Sequence, residues 1–255
     1  MSWRAFVLVL VAAVWGGTAA HAEVMPVDPG DIAAGRPLAG TGQNLPPITG
    51  ADIYDAGPLN AAALRAVYES GDIARLQREV TRAARRDLRR ETGCRTPGRA
   101  YPRCRVMVVF DVDDTLVSNY PQVSTNASAF TWDDARYDSA VAACETPVIP
   151  AGARLYRWVR RQGIATAVIS GRSASQRADT ARCLRQHGIT GWERLVTRRT
   201  SDDAMTAARF KARARAQLAR RGWRIVASVG DQVSDMAYGH LRRGYLLPNL
   251  MYWLP

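Results

Sequence analysis

The stretch "VMVVFDVDDTLVSN", residues 106–119, runs five apolar residues directly into three aspartates within four positions. The apolar run has the length and the β-branched content of a buried strand. Asp111 and Asp113 then stand at the carboxyl end of that strand, where a tight turn lets both face one cavity. Carboxylates so close remain ionised together only if a cation lies between them or one keeps its proton. We therefore expect a charged site here, although an Asx-rich turn would account for Asp114 and Thr115 equally well.

Three more short apolar runs alternate with segments of helical period. The predicted strands are residues 106–110, 165–169, 195–197 and 225–229, and the predicted helices between them are residues 151–162, 175–186 and 205–220. This alternation predicts an α/β fold in which helices cover both faces of a parallel sheet and ligands bind at the carboxyl ends of the strands. With 255 residues and 47% hydrophobic content, one principal domain is expected.

The N-terminus has the pattern of a secretory signal peptide. Arg4 precedes an apolar run over residues 5–15, and Ala20 and Ala22 give a small-residue cleavage site before Glu23. We expect residues 1–22 to be removed and the protein to be secreted or periplasmic. An uncleaved anchor is the alternative, but the run is short for a spanning helix, so no stable membrane anchor is expected.

The mature chain divides into two predicted parts. Residues 23–100 form an extended arm, rich in Gly and Pro, followed by a helical extension over residues 58–69 and 72–90. Residues 101–255 carry the strand and helix alternation. Their interval 117–150 is longer than one helix requires and predicts a small cap over the site. Its aromatic rings, at Tyr120, Phe130, Trp132 and Tyr137, line the site or pack a core of the insertion itself.

Four cysteines follow the signal peptide, and export favours disulfides among them. Two bridges allow three connectivities. Cys94 and Cys104 enclose a short turn-rich segment and are the favoured pair, which leaves Cys144 with Cys183. A zinc site is disfavoured because no Cys-x-x-Cys occurs.

The formal charge is +12, and removal of Arg4 with the signal peptide leaves 12 − 1 = +11. A positive chain favours anionic partners. The densest basic stretch, "TRAARRDLRR" at residues 81–90, has an apolar face and an arginine face, as in an amphipathic helix. A specific nucleic-acid partner is not expected because the chain shows no base-stacking aromatic pattern.

Three further segments place polar side chains at or near strand ends. "AVISGR" offers the Ser170 hydroxyl and the Gly171 amide to a phosphate oxygen, "SVGDQVSD" adds Asp231 and Asp235, and "RFKARARAQL" contains Lys211, the only lysine of the chain. Singly, these residues could be an ordinary turn, helix caps and a surface charge. Together they supply the groups that phosphoryl transfer requires.

On these residues the sequence resembles the haloacid dehalogenase (HAD) superfamily, and within it the subfamily IIIB acid phosphatases, which include plant vegetative storage proteins and bacterial secreted acid phosphatases. The matching segments include "FDVDDTLVSN", "ISGR", "VGDQVSDM" and the tail "LLPNLMYWLP". The resemblance implies a Rossmann-like core, and its helical extension corresponds to the N-terminal helices here. One departure is "TSDDAMTAA", residues 200–208, which matches no family motif.

The resemblance also implies roles for individual residues. Asp111 is the expected nucleophile, Asp113 the general acid and base, Ser170, Gly171 and Lys211 the phosphate-binding groups, and Asp111, the Asp113 carbonyl, Asp231 and Asp235 the surroundings of Mg²⁺. The expected enzyme is a secreted Mg²⁺-dependent acid phosphatase that cleaves small phosphomonoesters through an aspartyl phosphate. Activity should favour acidic pH, because neighbouring carboxylates would raise the proton affinity of Asp113.

Two alternatives keep this fold: a phosphotransferase, and a catalytically weak storage or binding protein. A carbon–halogen hydrolase is disfavoured because that chemistry does not need the acid at Asp113. The intact set of Asp111, Asp113, Lys211 and Asp231 argues against a storage role. The substrate, the cap residues that select it and the oligomeric state are left open.

Overall fold

The structure of the protein is a computed structural model, and it describes residues 54–57, 61–91, 105–126 and 129–254. The predicted signal peptide, most of the predicted arm, and Cys94 with Cys104 lie outside the described residues, so those expectations stay predictions. No helix among the described residues combines the length and the apolar character needed to cross a bilayer.

Helices and strands alternate along most of the described chain. The helices are α1 (Ala61–Glu69), α2 (Asp72–Glu91), α3 (Tyr120–Ser124), α4 (Asp134–Ala143), α5 (Pro150–Arg161), α6 (Arg177–Gln186) and α7 (Ala207–Arg220). The strands are β1 (Tyr54–Asp55), β2 (Val106–Phe110), β3 (Ala165–Ser173), β4 (Arg194–Arg198), β5 (Arg224–Gly230), β6 (Gly244–Leu246) and β7 (Tyr252–Trp253). Short 3-10 turns follow β4 (Thr200–Asp202) and β5 (Val233–Asp235).

Strands β2 to β6 form one parallel sheet in the order β4-β3-β2-β5-β6, which confirms the predicted α/β fold. All four predicted strands form, β2 with the predicted bounds and the others with additional residues. Strand β6, and the small antiparallel sheet of β1 and β7, were not predicted. Segments of two or three residues are too short to show a hydrophobic period.

The central strand β2 is buried on both faces, as its unbroken apolar run predicts. Val108 and Phe110 enter the cluster beneath α2, α5 and α6, whereas Met107 and Val109 enter the cluster beneath α7. Successive side chains of a strand point to opposite faces, so β2 lies between two packed layers. Its carboxyl end is therefore held from both sides.

Helix α2 is the amphipathic helix predicted from the arginine-rich stretch. Val80, Ala84 and Leu88 are buried in the main core, while Arg82 and Arg86 are exposed. The helix packs against α5, β5 and β6. The helical extension is thus one layer of the core.

The predicted cap insertion contains α3 and α4, and its rings divide between two roles. Phe130 is fully buried, and Tyr120 stacks on Tyr68 with ring centroids 4.7 Å apart. Trp132 and Tyr137 instead line the cavity at the carboxyl ends of the strands. Tyr120 and Phe130 thus pack against α1 and the C-terminal segment rather than in a core of the insertion itself, whereas Trp132 and Tyr137 lie where the first interpretation expects them.

A disulfide joins Cys144 to Cys183, the pairing that the sequence left by elimination. Cys144 is the left-handed C-cap residue of α4, and Cys183 lies buried in α6. The bond therefore fastens the cap insertion to a helix of the core.

Replacing both cysteines with serine should lower the free energy of unfolding by about 4 kcal/mol, because the bridge closes a loop with a sequence separation of 39 residues in the unfolded chain. Urea unfolding of the Cys144→Ser, Cys183→Ser double variant against the oxidised parent measures the difference. Reducing the parent with dithiothreitol tests the same bond. Unchanged unfolding midpoints would contradict a stabilising role for this bond.

Candidate active site

The carboxyl ends of β2, β3 and β5 meet at a cavity of about 600 Å³. Five of the predicted site residues line it: Asp111, Asp113, Gly171, Lys211 and Asp231. The other two, Ser170 and Asp235, are buried and hydrogen-bonded to lining residues. The structure thus brings together all seven residues that the sequence proposed.

Lys211 lies buried on α7 between two carboxylates. Its Nζ donates to Asp111 Oδ1 at 3.0 Å and to Asp235 Oδ1 at 2.6 Å. Burial lowers the pKa of Lys211, but the charges of Asp111 and Asp235 more than offset this effect and raise the pKa above its ordinary value. A permanent positive charge therefore lies beside the predicted nucleophile.

The carboxylate oxygens of Asp111, Asp231 and Asp235 lie within 4.8 Å of one another. Burial, and next the charge of Asp235, raise the pKa of Asp111 well above its ordinary value and raise that of Asp231 to about 8. Such crowding is unfavourable unless a cation neutralises it. These hard oxygen donors suit Mg²⁺, so the residues present fit the expected metal ion.

Three side chains hold the carboxylate of Asp231. Thr115 Oγ1 donates to Oδ1 at 3.2 Å, and Gln232 Nε2 and Asn249 Nδ2 each donate to Oδ2 at 2.8 Å. No sequence pattern selects these residues. Asn249 belongs to the C-terminal segment, which only the tertiary fold brings to β5.

Asp235 is fixed from α7 as well. Arg215, one turn after Lys211, is fully buried and donates to the carbonyl oxygens of Asp235 at 2.7 Å and Gly239 at 3.0 Å. A Cβ added to Gly230 would lie 2.1 Å from Asp235 Oδ2, so a glycine is required where β5 ends. One face of α7 therefore supplies both the ammonium and the support of its partner carboxylate.

Asp113 is held by a different set of donors. Arg172 donates to both of its oxygens, from Nε to Oδ2 at 3.0 Å and from Nη2 to Oδ1 at 2.8 Å. Asn119 Nδ2 donates to Oδ1, and the Tyr137 hydroxyl donates to Oδ2, each at 3.1 Å. Tyr137 belongs to the cap, so the cap contacts the predicted acid and base directly.

The expectation that neighbouring carboxylates raise the proton affinity of Asp113 is wrong. Burial alone would raise the pKa of Asp113, but the charge and hydrogen bonds of Arg172 outweigh burial and lower it below its ordinary value. The sequence argument counted the adjacent acids and overlooked the arginine. In the structure, Asp113 is paired as a carboxylate.

Arg172 was missed because β3 does not end at Ile169 as predicted. Ile169 pairs with Val196, and the next pair is Ser173 with Arg198. Strand β3 therefore advances by four residues while β4 advances by two, so the "SGR" segment forms a bulge. Bulges redirect side chains, and this one accompanies an Arg172 side chain that points to Asp113. The sequence did contain an indication of this role, because Arg172 directly follows Ser170 and Gly171, the two predicted phosphate-binding residues of this segment.

Ser170 and Gly171 occupy different positions in this bulge. Gly171 is exposed to the cavity, whereas Ser170 is fully buried and its Oγ accepts the backbone N–H of Arg172 at 3.2 Å. Accepting this bond leaves the hydroxyl proton of Ser170 available for an anion. The predicted phosphate-binding role of both residues is compatible with this arrangement.

Asp114 forms the alternative that the sequence offered, a local capping turn. Its Oδ1 accepts the backbone N–H of Asn119 at 3.0 Å, and its Oδ2 accepts the Tyr252 hydroxyl at 2.5 Å. Burial raises the pKa of Asp114 to about 6. Asp114 thus ties the turn after β2 to the C-terminal segment, and Asp111 and Asp113 face the cavity.

Comparison with known proteins identifies the family of the chain. The sequence profile of the HAD superfamily, subfamily IIIB (acid phosphatase), matches residues 69–255. The chain belongs to this subfamily. The match covers α2 of the helical extension as well as the sheet, and it confirms the family resemblance of the sequence.

Relatives of similar sequence include plant proteins. Acid phosphatase 1 of Solanum lycopersicum is 33% identical over 148 residues, which cover 57% of this chain and 58% of the relative. Vegetative storage protein 1 of Arabidopsis thaliana is 29% identical over 149 residues, which cover 58% of this chain and 55% of the relative. The matched region therefore spans less than two thirds of either relative.

Among solved structures, the class C acid phosphatase from Bacillus anthracis aligns with a TM-score of 0.58 and 18% identity. The alignment covers 77% of this chain and 87% of that protein. At this identity the likeness establishes the HAD fold.

Proposed function

We propose that this protein is a secreted, Mg²⁺-dependent acid phosphatase that hydrolyses small phosphomonoesters through an aspartyl phosphate on Asp111. The observation that carries the proposal is the position of Asp111, which lines a cavity between a fixed ammonium and two buried carboxylates. Membership of an acid phosphatase subfamily supports it.

In the first step, a carboxylate oxygen of Asp111 attacks phosphorus, an aspartyl O–P bond forms and the ester P–O bond breaks. The leaving alkoxide takes a proton from the protonated form of Asp113, which the second step regenerates. Lys211 lies within 3.0 Å of Asp111 and offsets negative charge on the transferring phosphoryl group. The amide of Gly171 and the hydroxyl of Ser170 supply further donors at the end of β3.

In the second step, Asp113 takes a proton from water, whose oxygen attacks phosphorus while the aspartyl O–P bond breaks. The products are inorganic phosphate and the regenerated Asp111 carboxylate. The ion pair with Arg172 favours the ionised form of Asp113, which is the form that accepts this proton. Arg172 and Tyr137 therefore orient Asp113 toward the reacting atoms.

Asp111, Asp231 and the backbone carbonyl of Asp113 would hold Mg²⁺, with Asp235 supporting Lys211. A bound Mg²⁺ would supply positive charge that offsets the negative charge of the carboxylates and of the phosphoryl group. The three carboxylates within 4.8 Å of one another explain why the protein would need it.

Chelation should abolish turnover of a chromogenic phosphomonoester, and Mg²⁺ should restore it. Without a cation, the crowded carboxylates repel both one another and the incoming phosphate. The assay compares the rate after exhaustive dialysis against EDTA with the rate after addition of Mg²⁺. Full activity of the dialysed protein would show that turnover does not require a metal ion. No activity with or without Mg²⁺ would contradict the proposed phosphatase function.

Asp113→Asn should slow an alkyl phosphate at least about tenfold more than a nitrophenyl phosphate, because only the alkoxide needs a proton from an acid. Tyr137→Phe removes one hydrogen bond to Asp113, so it should change the ratio of the alkyl phosphate rate to the nitrophenyl phosphate rate by a smaller factor. Tyr245→Phe is the matched control, since its hydroxyl bonds Asp87 away from the cavity. Equal losses of rate on both substrates would show that Asp113 does not donate the proton to the leaving group.

Export is part of the proposal and rests on residues 1–22 together with the Cys144–Cys183 bond. Disulfides persist in oxidising compartments. The storage alternative has support from the names of the plant relatives, one of which is a vegetative storage protein. The chelation assay separates the two functions, because a storage protein requires no turnover.

A further inference from the structure

A second cavity, of about 280 Å³, lies along the outer edge of β4. Among the described residues, β4 pairs with β3 alone and is the last strand of the parallel sheet. The cavity, which we call the edge groove, lies between the beginning of α6 and the end of α7. Its apolar floor includes Leu195 of β4 and Leu218 of α7, both buried.

Four arginines surround the edge groove: Arg177, Arg194, Arg199 and Arg221. All four are exposed. In the part of the chain that the structure describes, none of them has a carboxylate within ion-pair distance. Like charges gathered around a concave apolar surface attract an anionic ligand.

Protection of the sheet edge explains only part of this arrangement. Charged residues on an edge strand prevent it from pairing with other chains, and Arg194 serves that purpose on β4. Arg177, Arg199 and Arg221 come from α6, from the turn after β4 and from the end of α7. Their convergence on one groove is more than edge protection requires.

We propose that the edge groove binds an extended acidic peptide segment. Its backbone pairs with the outer edge of β4, in the manner of an added strand. Its carboxylates form strong charge-assisted hydrogen bonds with the guanidinium groups on the face that they occupy. Acidic and apolar side chains alternate along such a strand, so the apolar ones share one face of the sheet and pack beside either Leu195 or Leu218, which belong to the clusters on opposite faces.

A peptide fits the groove better than a nucleic acid does. The lining residues include no aromatic ring on which a base could stack, and single-stranded nucleic acids depend on such stacking. The groove offers instead a strand edge and an apolar floor. The site does not rest on the phosphatase proposal, because none of its lining residues lines the cavity that contains Asp111.

Fluorescence anisotropy tests the proposal with a labelled eight-residue peptide that alternates Glu and Val. The peptide should bind the full protein at least about tenfold more tightly than its Gln–Val analogue, because the analogue lacks the charges. Glu–Val peptides N-methylated at alternate residues, in either phase, test the strand pairing. One of the two should lose about tenfold in affinity, since N-methylation removes the hydrogen bonds of one peptide edge.

The double variant Arg177→Gln, Arg194→Gln should bind the Glu–Val peptide about tenfold or more weakly than the parent protein does. The matched control, Arg82→Gln with Arg86→Gln on α2, removes the same charge far along the chain and should change the affinity little. Melting temperatures check the fold, because Arg177 Nε also donates to the Leu195 carbonyl. Phosphatase activity should be unchanged in both double variants.

Four results would each overturn the proposal. The first is that the Glu–Val peptide shows no saturable binding, and the second is that both double variants bind it equally more weakly. The third is that both N-methylated peptides bind as tightly as the parent peptide. The fourth is that a single-stranded oligonucleotide binds more tightly than the Glu–Val peptide. The second would assign the attraction to the net charge of the whole chain, and the last would assign the groove to nucleic acid.

Discussion

Asp111→Asn should reduce phosphomonoester turnover by about four orders of magnitude or more, because an amide cannot form the acyl phosphate. The variant should fold at least as stably as the parent. Asp111 is buried among Asp231 and Asp235, and its raised pKa shows that its charge is unfavourable in the folded state. Lys211 keeps its 2.6 Å contact with Asp235. Single-turnover assays and thermal melts in the same buffer measure both effects.

A matched control is Asp87→Asn, which removes a carboxylate that accepts from Arg243 and Tyr245 at a distance from the cavity. This variant should turn over at the parent rate. A second check is phosphate trapping with a radiolabelled substrate, which should label the parent and leave Asp111→Asn unlabelled. Labelling of the variant would place the nucleophile elsewhere.

Lys211→Arg should lower turnover by roughly a hundredfold to a thousandfold although it preserves the charge, an effect comparable to loss of one preorganised oxyanion donor. The ammonium lies between Asp111 and Asp235, and Lys211 is only 3% exposed although it borders the cavity. A guanidinium is broader and planar, so it displaces a carboxylate or the phosphate. The measurement is kcat at saturating Mg²⁺, together with a melting curve.

Arg213→Lys, two residues further along α7, is the control for this exchange. Arg213 is exposed and pairs with Asp202 at 3.0 Å, so a lysine there should leave kcat at the parent value. If Lys211→Arg retained the parent rate as well, long-range charge alone would account for Lys211, and its proposed contact with the phosphoryl group would fail.

The periodicity of the sequence was sufficient for the fold because the buried strands of a parallel sheet are continuous apolar runs. Strand β2 has its predicted bounds, and α7 begins within two residues of the predicted start. The same reasoning placed Asp111, Asp113 and Asp231 at one edge of the sheet, since parallel strands end together. Those residues are local features of strand ends, which a sequence reveals.

Several contacts that the sequence did not predict join residues far apart in the chain. Arg172 reaches Asp113 through a bulge, and Tyr137 reaches it from a cap helix. Asn249 reaches Asp231 from the C-terminal segment. No hydrophobic period records such contacts. The predicted direction of the pKa shift at Asp113 was wrong because the dominant neighbouring charge belongs to Arg172, a residue 59 positions away.

The single lysine makes the opening of α7 measurable by proteolysis. An endoprotease specific for lysine has one cleavage site in the sequence, the peptide bond after Lys211, and would release residues 212–255 from the rest of the chain. In the folded protein that bond lies within a buried stretch of helix. Cleavage requires local unfolding of the helix, so its rate reports how often the segment that carries the ammonium detaches from the sheet. A ligand that binds the folded cavity would slow the cut, and the slowing would measure occupancy without any turnover.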